Sequence, residues 1–120
     1  VALSCLAREH DIAIASNVFT VDPASQEGHI TELVFDSSGT LTAYYHKHHL
    51  FLTENDEFKP GPFNPTVFDL PYGSGSETAK VGLIICWEGF YPSVTGDWSQ
   101  LESFATQNAT AVLWSIGTSV

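Results

Sequence analysis

Two residues of this sequence have the right types and settings for covalent chemistry on a carbonyl. Cys86 ends an apolar run, Lys80 to Trp87 (KVGLIICW), just before Glu88-Gly89 and a Tyr91-Pro92 turn. Ligands of layered α/β proteins gather at the carboxyl ends of strands. A thiol at such an elbow is placed for nucleophilic attack, and the backbone N–H groups after it can hold an oxyanion. Buried cysteine is also a common space-filler, so position alone leaves both readings open. Lys47 stands in Tyr44-Tyr45-His46-Lys47-His48-His49, in a chain with only four Lys or Arg. A cation among aromatic rings and histidines could lower a nearby thiol's pKa and stabilise a developing oxyanion. A solvated strand-end lysine is the plain alternative.

Glu54 follows Lys47 in the loop Leu50-Phe-Leu-Thr-Glu54-Asn-Asp-Glu57. A carboxylate there could hold the ammonium by a charge-assisted hydrogen bond, or be one surface acid among fourteen. His46 and His48 would share a strand face, with His29 on the partner strand, which suits a metal. No cysteine or carboxylate stands beside them at tight ligand spacing, so the expectation is no metal site and no cofactor, with the histidines lining a pocket and positioning Lys47. Trp87, Tyr91 and Trp114 suggest aromatic walls for that pocket.

The elements that must position these residues can be read from periodicity and turn residues. Residues 1–10 read as a helix end. Ile12 to Val21 (IAIASNVFTV) reads as a buried strand. His29 to Phe35, the turn Asp36-Ser-Ser-Gly39 and Thr40 to Lys47 read as a β-hairpin. Residues 48–76 read as a long loop containing a short strand, Thr66 to Leu70, and ending in Tyr72-Gly-Ser-Gly-Ser76. Lys80 to Trp87 reads as a strand covered on both faces. Ser99 to Asn108 reads as a helix with Leu101, Phe104 and Ala105 inward. Ala111 to Gly117 reads as a second buried strand. The order implies a layered α/β domain with helices over a mixed sheet.

Composition narrows the classes. The chain has 120 residues, 14 acidic and four basic, for a net charge of −10. With 43% hydrophobic and 15% charged residues, it is a chain that buries a core. Its acidity argues against binding nucleic acid or an anionic membrane surface. No stretch is long and apolar enough to span a bilayer, and no signal segment is visible. Two cysteines, Cys5 and Cys86, are too few for a disulfide scaffold, though they could pair in an oxidising compartment. There is no methionine, and both ends read as cut through elements, so residues 1–120 are expected to be part of a larger domain.

The segment Leu33-Val-Phe-Asp-Ser-Ser-Gly-Thr-Leu-Thr-Ala-Tyr-Tyr-His-Lys47-His-His-Leu-Phe51 resembles the lysine motif of the nitrilase (carbon–nitrogen hydrolase) superfamily. Its wording is nearest the vanin and biotinidase, or pantetheinase-like, branch. Val81-Gly-Leu-Ile-Ile-Cys86-Trp87-Glu88 resembles the nucleophile motif, and Phe68-Asp-Leu-Pro-Tyr-Gly73 fits the phrase that precedes it in that branch. The resemblance implies an αββα sandwich, present here in part, and a thiol-dependent hydrolase of linear amides. It implies Cys86 as nucleophile, Lys47 with the backbone N–H of Trp87 as oxyanion stabiliser, and Glu54 as an additional acid. Trp87, Glu88, Tyr91 and His49 would border the oxyanion and substrate pocket.

The family's general-base glutamate lies upstream of the lysine motif, and neither Glu9 nor Asp11 stands in its context. Glu88 also departs from the branch, which commonly has aspartate after the aromatic residue. The 120 residues alone are therefore expected to be inactive. Asn108-Ala-Thr110 is an N-glycosylation sequon, and the branch is typically secreted or membrane-anchored. The partner implied is a small-molecule amide, and a homo-oligomer is compatible with the resemblance. The alternatives are a general aliphatic amidase or N-carbamoyl hydrolase, a non-catalytic nitrilase-fold binding protein, and a His-rich metal-binding module.

Overall fold

A computed structural model describes residues 2–72 and 76–117. The end of the expected long loop at residues 73–75 lies outside them. Helix α1 (Ala2–His10) leads into strands β1 (Ile14–Val21), β2 (Gly28–Phe35) and β3 (Leu41–His46). After the one-turn helix α2 (Glu54–Glu57) come β4 (Val67–Tyr72) and β5 (Glu77–Ile85). A 3₁₀ turn at Cys86–Gly89 follows, then α3 (Tyr91–Thr95), α4 (Ser99–Thr106) and β6 (Ala111–Ser115).

The strands form two three-stranded sheets, ordered β1-β2-β3 and β4-β5-β6. The first is antiparallel throughout; in the second, β4 is antiparallel and β6 parallel to β5. Ile30, Val34, Ala43 and Tyr45 of one sheet pack against Phe68, Val81, Leu83 and Ile85 of the other. Helix α1 lies against β2, with Ala7 fully buried, and α4 covers β5. At Gly82 a β-carbon would come within 2.8 Å of the Phe104 ring, so glycine lets α4 close onto β5. The layering is thus helix, sheet, sheet, helix, as expected.

The hairpin forms where its turn residues place it. Asp36 Oδ1 accepts from the backbone N–H groups of Ser38 and Thr40, both at 2.9 Å, and Gly39 takes φ +84°. The Ser38 hydroxyl and these N–H groups hold the Asp36 carboxyl below the usual carboxylate range.

Three expectations are corrected. Strands β1 and β6 are not buried; Phe19 is 72% exposed, and Val112 and Trp114 are exposed. Each is an edge strand among the described residues, so neighbours cover it on one side only, whereas residues Val81 to Ile85 of central β5 are all buried. In α4, Ala105 is exposed and Gln100 is buried beside Phe104. A hydrogen bond from Gln100 to the buried Tyr45 hydroxyl, at 2.9 Å, makes that polar residue an inward one. The expected Lys80–Trp87 strand stops at Ile85, because the chain turns at Cys86.

Candidate active site

Lys47 directly follows β3, where its N–H donates to Ile30 O and its carbonyl accepts from Gly61 N–H, both at 2.8 Å. Both peptide groups are therefore fixed, and the side chain is carried inside at 1% exposure. A buried ammonium needs a partner. Lys47 Nζ donates to both carboxylate oxygens of Glu54, at 2.9 and 2.7 Å. Glu54 Oε2 also accepts from Phe51 N–H at 2.7 Å, which folds the loop back and aims the carboxylate. The acid expected to hold Lys47 does so.

Cys86 sits at φ +48°, a left-handed conformation that costs a non-glycine residue about 1–3 kcal/mol. The surroundings hold it there. Trp114 Nε1–H donates to Cys86 O at 2.8 Å, and at Gly89 a β-carbon would collide with the Trp114 ring. Glu88 completes the turn by accepting from Ile85 N–H at 2.9 Å. Cys86, Lys47 and Glu54 line one cavity of about 270 Å³, together with Asn17, Ile30 and Ser115. Cys5 is exposed on α1, and both cysteines are free, so the pairing left open by the sequence does not form.

Glu88 is corrected from the pocket position expected of it. Its carboxylate is 1% exposed and is turned into the protein. Oε1 accepts from the Tyr45 hydroxyl at 2.6 Å, His48 N–H at 2.9 Å and His49 N–H at 3.1 Å. With the Ile85 bond, one side chain ties the lysine segment to the cysteine turn. Burial first, and then the Glu88 charge, pushes the Tyr45 hydroxyl far above its ordinary pKa.

The side chains of Trp87, Tyr91 and His49 are likewise outside the cavity lining and form an aromatic group with Phe51, while the Trp87 backbone N–H stays on the turn that follows Cys86. His49 stacks on Tyr91 with ring centroids 3.8 Å apart, and Trp87 meets Phe51 at 5.1 Å. Burial and the neighbouring His48 lower the His49 pKa despite the attraction of Glu88.

His46 and His48 do not share a strand face, because β3 ends at His46. His46 Nδ1 is 2.7 Å from Thr31 Oγ1, and His48 Nδ1 is 2.7 Å from Gly61 O. The His29 ring lies tilted against His46, with centroids 4.7 Å apart. Among the described residues, no group of three His, Cys, Asp or Glu side chains is arranged to hold a metal.

One buried acid was not singled out from the sequence. Glu32, on β2, is 1% exposed; its Oε2 accepts from Asn17 Nδ2 at 3.3 Å, and its Oε1 has no hydrogen-bond partner among the described residues. Desolvation raises its pKa, while Ser115 and Asn17 pull it down. The available signal was parity: Ile30, Glu32 and Val34 alternate along one strand, and the outer two are core residues.

The carbon-nitrogen hydrolase family model matches residues 1–102. The chain is 34% identical over 107 residues to the pantetheinase of Mus musculus, covering 78% of this chain and 19% of that protein. To the biotinidase of Takifugu rubripes it is 30% identical over 105 residues, 78% of this chain and 20% of that one. Among solved structures it is similar to Saccharomyces cerevisiae Nit3, a member of branch 10 of the nitrilase superfamily. That match has a TM-score of 0.77 at 25% identity and covers 98% of this chain and 39% of the other. The chain spans about a fifth of the length of the curated relatives it matches.

Proposed function

The chain belongs to the carbon–nitrogen hydrolase family, and from that premise we propose that it carries the nucleophile and oxyanion-stabilising lysine of a thiol amidohydrolase acting on a linear carboxamide. The substrate class is pantetheinase- or biotinidase-like. The observation that carries this reading is the shared cavity: a thiol on a strained turn, with a buried lysine held by a carboxylate in the same lining.

In this reading the Cys86 thiolate attacks the amide carbonyl carbon. The C–S bond forms as the carbonyl π electrons move onto oxygen. Lys47 Nζ, held by Glu54, and the backbone N–H of Trp87 stabilise that oxyanion. The oxyanion collapses, the C–N bond breaks, and the amine leaves with a proton. Water then hydrolyses the thioester to the acid and restores the thiol. The thiol's proton passes to the general-base glutamate, which the family resemblance puts upstream of the lysine motif. Hydrolysis is therefore read as a property of the complete polypeptide, and residues 1–120 alone as an inactive part of the domain.

Two further readings rest on the branch. The protein is extracellular or membrane-anchored, although no helix among the described residues is long and apolar enough to cross a membrane. Asn108, exposed after α4, carries an N-glycan. The deciding experiment incubates the complete polypeptide with pantetheine, a biotin amide and a simple aliphatic amide. Release of amine is followed, and the Cys86 peptide is weighed by mass spectrometry. A thioester on Cys86 and amine release from a branch substrate are expected. Preference for the simple amide would move the assignment to a general amidase, and release persisting in Cys86→Ala would sink it.

A further inference from the structure

One wall of the Cys86 cavity is polar in a way that the hydrolytic chemistry does not use. In the β1–β2–β3 register Asn17, Glu32 and Tyr45 stand side by side. Lys47 is bonded to Ile30, two residues before Glu32, so this row lies one strand step from the lysine. Ser115 of β6 lines the same cavity from the other sheet. Asn17 and Ser115 line the cavity, and Glu32 lies behind them.

The donors and acceptors of this group can be assigned. Asn17 Nδ2 reaches Thr31 O at 3.4 Å and Glu32 Oε2 at 3.3 Å, both acceptors, so the amide nitrogen must face them. Asn17 Oδ1 is then the atom this residue offers to the cavity. Behind it the buried Glu32 Oε1 is itself an acceptor without a partner among the described residues. An amide oxygen held toward the cavity in this way is matched by a ligand that brings a donor.

We propose that Glu32, through Asn17, makes this wall a specificity element. It selects amides whose acyl chain bears a hydrogen-bond donor, a hydroxyl or N–H, over chains of the same size ending in methyl. The inference rests on Cys86 being the group that such amides approach. Asn17 would touch the ligand, and Glu32 is a positioning residue that fixes which of its atoms faces the ligand.

The test needs no turnover. Cys86 in the full-length protein is alkylated with iodoacetamide, and the rate is read by mass spectrometry of its peptide, with exposed Cys5 as the internal control for reagent. 3-Hydroxypropanamide and butyramide, matched in size, compete for the cavity. The hydroxyl amide is expected to protect Cys86 at about tenfold lower concentration, the range of one good hydrogen bond to a charge-supported acceptor. The preference should shrink to about twofold or less in Glu32→Leu. Asn17→Ala, at an exposed position that leaves folding intact, should shrink it as well.

Equal protection by the two amides would overturn the wall's role while leaving Cys86 as an amide site. A preference that survives both substitutions would do the same. Failure of both amides to slow alkylation would remove the amide-site reading and this inference together.

Discussion

The molecule has two cavities that invite comparison, one at each end of the sandwich. The larger, about 460 Å³, is lined by Asp11, Asp36 and Asp69 among others, with no cysteine, lysine or histidine in its lining. Two of these acids already have local tasks. Asp36 closes the hairpin turn, and exposed Asp69 pairs with Lys80 at 3.0 Å. The smaller, about 270 Å³, holds Cys86, Lys47 and Glu54. There the Lys47 ammonium is buried, and its Glu54 partner, a quarter exposed, is aimed by the Phe51 N–H. Volume does not separate the two, but desolvation does. A paired charge away from water acts on a neighbouring dipole far more strongly than an exposed one.

Cutting at the small cavity tests that contrast most severely. In the complete polypeptide, Cys86→Ala is expected to reduce amide hydrolysis by roughly four orders of magnitude or more, since the covalent step disappears. Asp69→Ala, at the large cavity, should leave the rate within about twofold. Comparable losses from both would abolish the distinction. Lys47→Ala comes next, at about 100- to 1000-fold in kcat, the worth of one oxyanion donor. Because its removal also leaves Glu54 without its cation, circular dichroism on the same sample must show native secondary structure before the rate is compared.

The same contrast bears on what could be read from the sequence. Residues acting through their own local chain were legible. The hairpin followed from Asp36 and Gly39, the covered strand from an unbroken apolar run, and Cys86 and Lys47 from their places at strand ends. Glu54 was legible because it closes a loop only seven residues long. What stayed hidden depends on contacts across long separations. Glu88 accepts from His48, forty residues away, and this turned an expected pocket acid into a buried tie. Tyr45 and Gln100 meet across fifty-five residues. Glu32 lies between Asn17 and Ser115, which only the stacking of two sheets brings together. The exposure of β1 and β6 was hidden for the same reason: composition marks a strand as apolar, but not how many neighbours it has.

Glu88 sharpens the comparison from the side of stability. Glu88→Ala removes the acceptor for three backbone N–H groups and the Tyr45 hydroxyl, all at the small-cavity end. Stranding such donors and breaking a buried charged network costs about 3–5 kcal/mol. Urea unfolding should show a loss of that order. Asp36→Ala, at the exposed turn, should lose much less. If the two losses were equal, Glu88 would be no more than another turn acid. Cys86 in Glu88→Gln should also change its alkylation rate while Cys5 does not, because the turn that presents the thiol is anchored by this side chain.

The smallest expected effect separates the two ends by sign. Burial raises the Glu32 pKa above its ordinary 4.5, so the folded state holds that proton more tightly than the unfolded chain. Its stability contribution is present below the unfolded value and is lost as pH rises through the folded one. Asp36 is the reverse: its pKa is lowered from 3.8, so its contribution is present above that value and is lost as pH falls through the folded one. Neutral variants of the same shape isolate each group. Glu32→Gln should gain stability relative to the parent as pH rises from 4 to 8. Asp36→Asn should be less stable than the parent at neutral pH and should draw level with it as the solution becomes strongly acidic. Urea unfolding of the three proteins across that range reads both slopes. Slopes of the same sign would mean that Glu32 is solvated like the turn aspartate, and the desolvation that distinguishes the small cavity would not extend to its polar wall.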